Sequence, residues 1–107
     1  MSSLPAIADD GFQKEVMESE LPVLVDFWAA WCAPCRALGP VIEDLGKSYE
    51  GKVKFVKMDV EENKKTPVKF RIRSIPTLIL FKNGKVVEQI VGNVPREKIE
   101  GILEKVL

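Results

Sequence analysis

Residues 22–36 read Pro22-Val23-Leu24-Val25-Asp26-Phe27-Trp28-Ala29-Ala30-Trp31-Cys32-Ala33-Pro34-Cys35-Arg36. The first half, Pro22 to Trp28, is a near-continuous apolar run rich in β-branched and aromatic residues, which predicts a strand buried on both faces. Asp26 is the anomaly in it. Further on, Leu38, Val41, Ile42, Leu45 and Tyr49 recur at three- and four-residue steps, so a helix over about 33–49 carries one apolar face. Pro40 inside that helix removes a backbone donor and crowds the preceding turn, which predicts a kink. The two cysteines therefore stand where a strand ends and a helix begins.

Working outward, Asp9 and Asp10 precede Phe12, Val16 and Met17, a pattern that predicts a short capped helix over about 10–18. Val53, Phe55, Val56 and Met58 predict a second buried strand, and residues 60–70 a short polar helix. Thr77 to Phe81 and Val86 to Val91 read as strands joined through Lys82-Asn83-Gly84-Lys85. An Asn-Gly pair tolerates the positive φ angles of a tight turn, so these two strands should be antiparallel. Pro95 opens a last amphipathic helix with Ile99, Ile102, Leu103, Val106 and Leu107 on one face. The order helix, strand, helix, strand, helix, hairpin, helix predicts an α/β fold with a mixed sheet and helices on both faces.

At 107 residues the chain suits one domain, expected to span 1–107. Hydrophobic residues at 46% and charged residues at 30% set disorder aside. Sixteen basic residues balance sixteen acidic ones, so no net field favours nucleic acid or an anionic membrane as a partner. The longest uncharged run near the cysteines, Phe27 to Cys35, is far shorter than the roughly 20 apolar residues of a membrane span. The start MSSLPAIADD has neither a basic opening nor an apolar stretch with a cleavage site, so a cytoplasmic location is expected. The absence of histidine removes the commonest general base and the commonest metal ligand.

Cys32 and Cys35 are the only cysteines. Structural zinc needs two further thiolate or imidazole ligands, and covalent haem attachment needs histidine where Arg36 stands, so no metal is expected. A purely structural disulfide closing four residues contributes only about 2 kcal/mol in the loop-entropy model. The redox reading has a physical basis at each position. Cys32, just before the helix, faces unpaired backbone N–H groups and the positive end of the dipole, which favour thiolate and make it the nucleophile. Pro34 fits the first turn because its missing N–H is not needed there. Cys35, one turn on, resolves the mixed disulfide. Arg36 either adds positive charge or is a solvated side chain.

The stretch Phe27 to Arg36 resembles the active-site segment of thioredoxins. The resemblance extends through Asp26, Pro40, Lys57, Ser74-Ile75-Pro76-Thr77, Asn83-Gly84 and Gly92. It implies a central five-stranded mixed sheet flanked by four helices, with Pro76 in a cis peptide bond beside the dithiol. It also implies a monomeric protein-disulfide reductase without a bound cofactor, working through a Cys32–Cys35 disulfide. Its partners would be disulfide-containing client proteins and a thioredoxin reductase that passes on electrons from NADPH. By the same resemblance the Ile75 backbone pairs with an extended client segment.

Asp26 has two readings: a satisfied structural carboxylate paired with Lys57, or, as the family implies, a desolvated acid that exchanges a proton with Cys35. Trp28 is expected to pack beneath the loop. Trp31, Ala33, Pro34, Ile75, Pro76 and Gly92 are expected to form a small uncharged docking surface around the sulfur. Gly92 is otherwise a plain loop glycine. Ala33 and Ser74 depart from glycines common in the family, which bears on redox potential and partner range. Two rival functions are an oxidant or isomerase of the same fold, and a binding module whose thiols are incidental.

Overall fold

The structure, a computed structural model, describes residues 4–107. Its elements in chain order are a 3-10 turn at Asp9–Gly11, a π-helical turn at Gln13–Met17, β1 (Val23–Trp28), α1 (Ala33–Ser48), β2 (Lys54–Asp59), α2 (Lys65–Lys69), β3 (Thr77–Lys82), β4 (Lys85–Val91), α3 (Arg96–Leu103) and a closing 3-10 turn at Glu104–Val106.

Strand order is β2-β1-β3-β4. β1 runs parallel to β2, which requires the crossover that α1 supplies. β3 lies antiparallel to both β1 and β4. Successive strand residues face opposite sides, and the two cores follow that alternation. Leu24, Leu78 and Leu80 pack with Leu38, Ile42 and Leu45 of α1 and with Ile99 and Leu103 of α3. Val23, Val25, Phe27, Ile79 and Phe81 pack on the other face with Phe12, Val16 and Phe70. The fully buried aliphatic side chains each contribute about 1.5–3 kcal/mol over leaving them in water.

The five-stranded expectation is corrected: four strands are present among the described residues. In the place of a fifth, Ala6 makes an isolated parallel bridge to Lys57 at the outer edge of β2. Lys57 N–H donates to Pro5 O and Ile7 N–H to Lys57 O, each at 2.9 Å. Pro5 has no N–H to extend the ladder, and the chain turns at Asp9.

The first helix is not a regular α-helix but a 3-10 turn at Asp9–Gly11 followed by a wider π-helical turn at Gln13–Met17, and Asp9 does not cap it. Its carboxylate instead accepts from the Thr66 N–H (2.8 Å), the Thr66 hydroxyl (2.7 Å) and the Lys65 N–H (3.1 Å), starting α2 from 56 to 57 residues away in sequence. α2 itself is confined to Lys65–Lys69, within the predicted 60–70. α1 matches the predicted bounds and continues past the exposed Pro40. Pro95 is the cap of α3 rather than part of its first turn, and Leu107 is exposed.

Asn83 (φ 54°) and Gly84 (φ 75°) both occupy the left-handed region that a two-residue hairpin turn demands. A Cβ on Gly84 would also lie 3.1 Å from the Met17 carbonyl oxygen. Gly84→Ala is therefore expected to lower stability by about 1–2 kcal/mol. The check is a urea titration in which the midpoint falls while the slope stays the same.

Candidate active site

α1 begins just beyond the end of β1, and Cys32 is its N-cap, with extended backbone at φ −89° and ψ 107°. The Cys32 sulfur accepts a hydrogen bond from the Cys35 backbone N–H at 3.2 Å. That contact satisfies one of the donors every helix leaves open at its start. Pro34 sits in the first turn, where a missing N–H costs nothing. Arg36 donates through Nη1 to Ala30 O at 2.7 Å, tying the turn before the cysteines to the helix.

Cys32 and Cys35 are joined as a disulfide, with Cα atoms 5.2 Å apart. The two are not equivalent. Cys35 is 1% exposed and lies on the buried stripe of α1, while Cys32 is 4% exposed at the mouth of the helix beside Trp31, which is 66% exposed.

Across from the sulfurs the Ile75–Pro76 peptide bond is cis, as the resemblance implied. Ile75 O lies 3.7 Å from Cys32 Sγ. This is a contact rather than a hydrogen bond, because a disulfide sulfur carries no proton. Ala33 and Pro34 are exposed, and Ile75 and Gly92 are half-buried. Pro76 is buried, because it leads directly into β3, whose first residues lie inside the sheet. Its carbonyl accepts the Gly92 N–H at 2.8 Å, so it supports the surface from below. Gly92 has φ 94° and nothing within 4 Å of a Cβ, so its backbone conformation is what calls for glycine.

A groove of about 370 Å³ opens beside this loop, lined by Trp31, Val60, Pro67, Ile72, Arg73, Ser74 and Ile75. Val60, Pro67, Ile72 and Arg73 escaped sequence reading. They come from three segments, and only Arg73, next to the Ser74-Ile75-Pro76 motif, carried a positional hint.

Asp26 lies on the same face of β1 as Leu24, the face that α1 covers. A crossover helix runs back along its strand, so the N-terminal end of α1 with Cys35 lies over the C-terminal end of β1 with Asp26. Asp26 is 5% exposed, and its Oδ1 has no hydrogen-bond partner among the described residues. Burial pushes its pKa from 3.8 up to about 7, and the nearby Lys57 charge only partly opposes that. Lys57 is the register partner of Asp26 on β2. Its Nζ also lies 5.3 Å from the centre of the Trp28 ring. Trp28 is half-buried, packs against the cysteine cluster, and has an Nε1 without a hydrogen-bond partner among the described residues.

The thioredoxin family model matches residues 3–105. The chain belongs to the thioredoxin family. It is 50% identical over 107 residues to "Thioredoxin" of Synechocystis, covering the whole of both chains. To "Thioredoxin 1" of Nostoc it is 47% identical over 105 residues, 98% of each chain. To "Thioredoxin M4, chloroplastic" of Arabidopsis thaliana it is 44% identical over 104 residues, 97% of this chain and 54% of that one. As in thioredoxins generally, the Cys32–Cys35 pair at disulfide distance makes the chain a thiol-disulfide oxidoreductase and protein-disulfide reductase, with no bound cofactor. Reductases and disulfide clients are its general partners. No helix among the described residues is long and apolar enough to cross a membrane.

A buried acid with a raised pKa makes folding pH-dependent. Below 3.8 Asp26 is neutral folded and unfolded. Between 3.8 and about 7 the unfolded chain releases the proton while the folded one holds it, so stability falls as pH rises, and above about 7 the loss is complete. Asp26→Asn should therefore stabilise the fold by a few kcal/mol at about pH 8, with the gain vanishing toward about pH 4. Paired denaturant titrations of the two proteins across that range measure the difference.

Proposed function

We propose that this single-domain chain, acting as a monomer in the cytoplasm, reduces disulfides in client proteins by a two-step exchange in which each cysteine has a fixed role. The capped position of Cys32, beside the half-buried Ile75 and against a fully buried Cys35, carries this reading. In the reduced protein the Cys35 amide and the start of α1 favour thiolate at Cys32. That thiolate attacks a client sulfur, the client disulfide breaks, and the first client thiolate leaves. Cys35 then loses its proton and attacks the Cys32 sulfur. The mixed disulfide breaks, the second client thiolate leaves, and two electrons have passed to the client.

Asp26 serves as the proton acceptor for Cys35. Its burial, its unpartnered Oδ1 and its pKa of about 7 suit a base that must switch protonation near neutrality. Lys57, across the strand pair, tunes that switch. Trp28, packed against the cysteine cluster, and Pro40 shape the surroundings without taking part in the exchange. Trp31, Ala33, Pro34 and Gly92 meet the client, and the Ile75 backbone pairs with its extended segment while Pro76 holds that loop in place. A thioredoxin reductase drawing on NADPH restores the dithiol.

Two outcomes test this assignment. Cys35→Ser should accumulate a covalent client adduct that Cys32→Ser never forms, seen as a mass increase that a small thiol reverses. In the native protein the resolving step should accelerate as pH rises through about 7, and Asp26→Asn should slow it by up to about a hundredfold at neutral pH and remove that inflection. Mass spectrometry reads the first, and a turnover assay with thioredoxin reductase, NADPH and a model protein disulfide, run across pH, reads the second. An unaltered pH profile in Asp26→Asn takes Asp26 out of the mechanism.

A further inference from the structure

Between Glu62 and Glu88 the chain carries Lys64, Lys65, Lys69, Arg71, Arg73, Lys82 and Lys85 and not one acidic residue, although its total charges balance. The first five are exposed, running from Lys64 just before α2 through α2 and the loop that leads to Ile75. Among the described residues Lys64 alone of these five has an ion-pair partner, Glu61 at 4.0 Å, while Lys69 lies 5.6 Å from the Phe70 ring centre. Arg73 lines the groove beside the disulfide, next to Ile72 and Ile75. Glu61 and Glu62 follow Val60 in sequence but do not line the groove, and Glu61 is engaged by Lys64. Arg36, on the α1 side, is held by Ala30 O.

We propose that this cationic flank makes the protein selective for client disulfides set among acidic residues, with Arg73 determining the preference. The inference rests on the reductase reading and adds a substrate class to it. The apolar groove between Trp31 and Ile72 takes a client side chain of almost any kind, so it discriminates little. A guanidinium at its wall is different. A client carboxylate gains a charge-assisted hydrogen bond from it, whereas a client lysine meets repulsion from Arg73 with Arg71 and Lys69 close behind in sequence. Charges at the rim of a contact act chiefly on the rate of encounter and weaken as salt rises.

The test uses the full-length protein, reduced beforehand, and two disulfide-bonded peptides of equal length flanked by glutamates or by lysines. At about 20 mM salt the acidic peptide should react faster by about three- to tenfold, the size expected of two or three exposed charge pairs. The ratio should fall below about twofold at about 0.5 M salt, where screening is short-ranged. Arg73→Glu should abolish or invert it. Lys82→Glu, the same charge change at the far end of β3, should leave it unchanged. Equal rate constants at low salt, an intact ratio in Arg73→Glu, or an equal drop in Lys82→Glu overturns the proposal and leaves the reductase reading standing. If neither peptide is reduced, the reductase reading falls and this proposal with it.

Discussion

The Cys32 sulfur occupies the place that a serine or aspartate oxygen fills at most helix starts, and the site depends on that substitution. A helix needs an acceptor at its first turn, and here the acceptor is the atom that does the chemistry. The sulfur is therefore as well positioned as α1 itself. α1 is locked in turn by Leu38, Ile42 and Leu45 against Leu24 and the other residues of that core. Packing energy across one face of the sheet thus holds a reacting atom at its edge.

Asp26 runs against the economy of that core. A central strand buried on both faces has no place for a carboxylate, and this one has an oxygen without a hydrogen-bond partner among the described residues. Local rules of stability fail most often where a protein works, because a group matched to its solvent-exposed preference cannot also titrate near neutrality. In the proposed mechanism, the position of Asp26 beneath the N-terminal end of α1 gives the conflict a use. Its neighbour Lys57 limits the cost without removing it, since burial remains the larger influence on its pKa.

The side proposed to meet the client is assembled from segments far apart in the chain. Residues 31–34 come from the start of α1, residues 72–76 from the loop before β3, and Gly92 from the end of β4. One backbone hydrogen bond, Gly92 N–H to Pro76 O, joins the last two. Asp9 reaches across to start α2 and so places Pro67 at the wall of the groove. Around this uncharged centre the cations of residues 64–73 give one flank a sign that the balanced total charge conceals.

Periodicity and turn chemistry were enough to read β1, α1, the β3–β4 hairpin and the α/β class from the sequence, because each rests on contacts between residues near one another in the chain. The redox pair was legible for the same reason: two cysteines spaced by one helical turn at a strand-to-helix junction are a local pattern. Only the tertiary structure decided that Asp9 caps α2, that Pro76 lies beneath the surface, and that Val60, Pro67, Ile72 and Arg73 share a groove. It also decided that the expected fifth strand shrinks to a single bridge at Ala6. In each case the deciding partner lies far away along the chain, or a missing proline N–H ends a ladder whose other edge is itself remote, and no spacing rule within a segment carries that information.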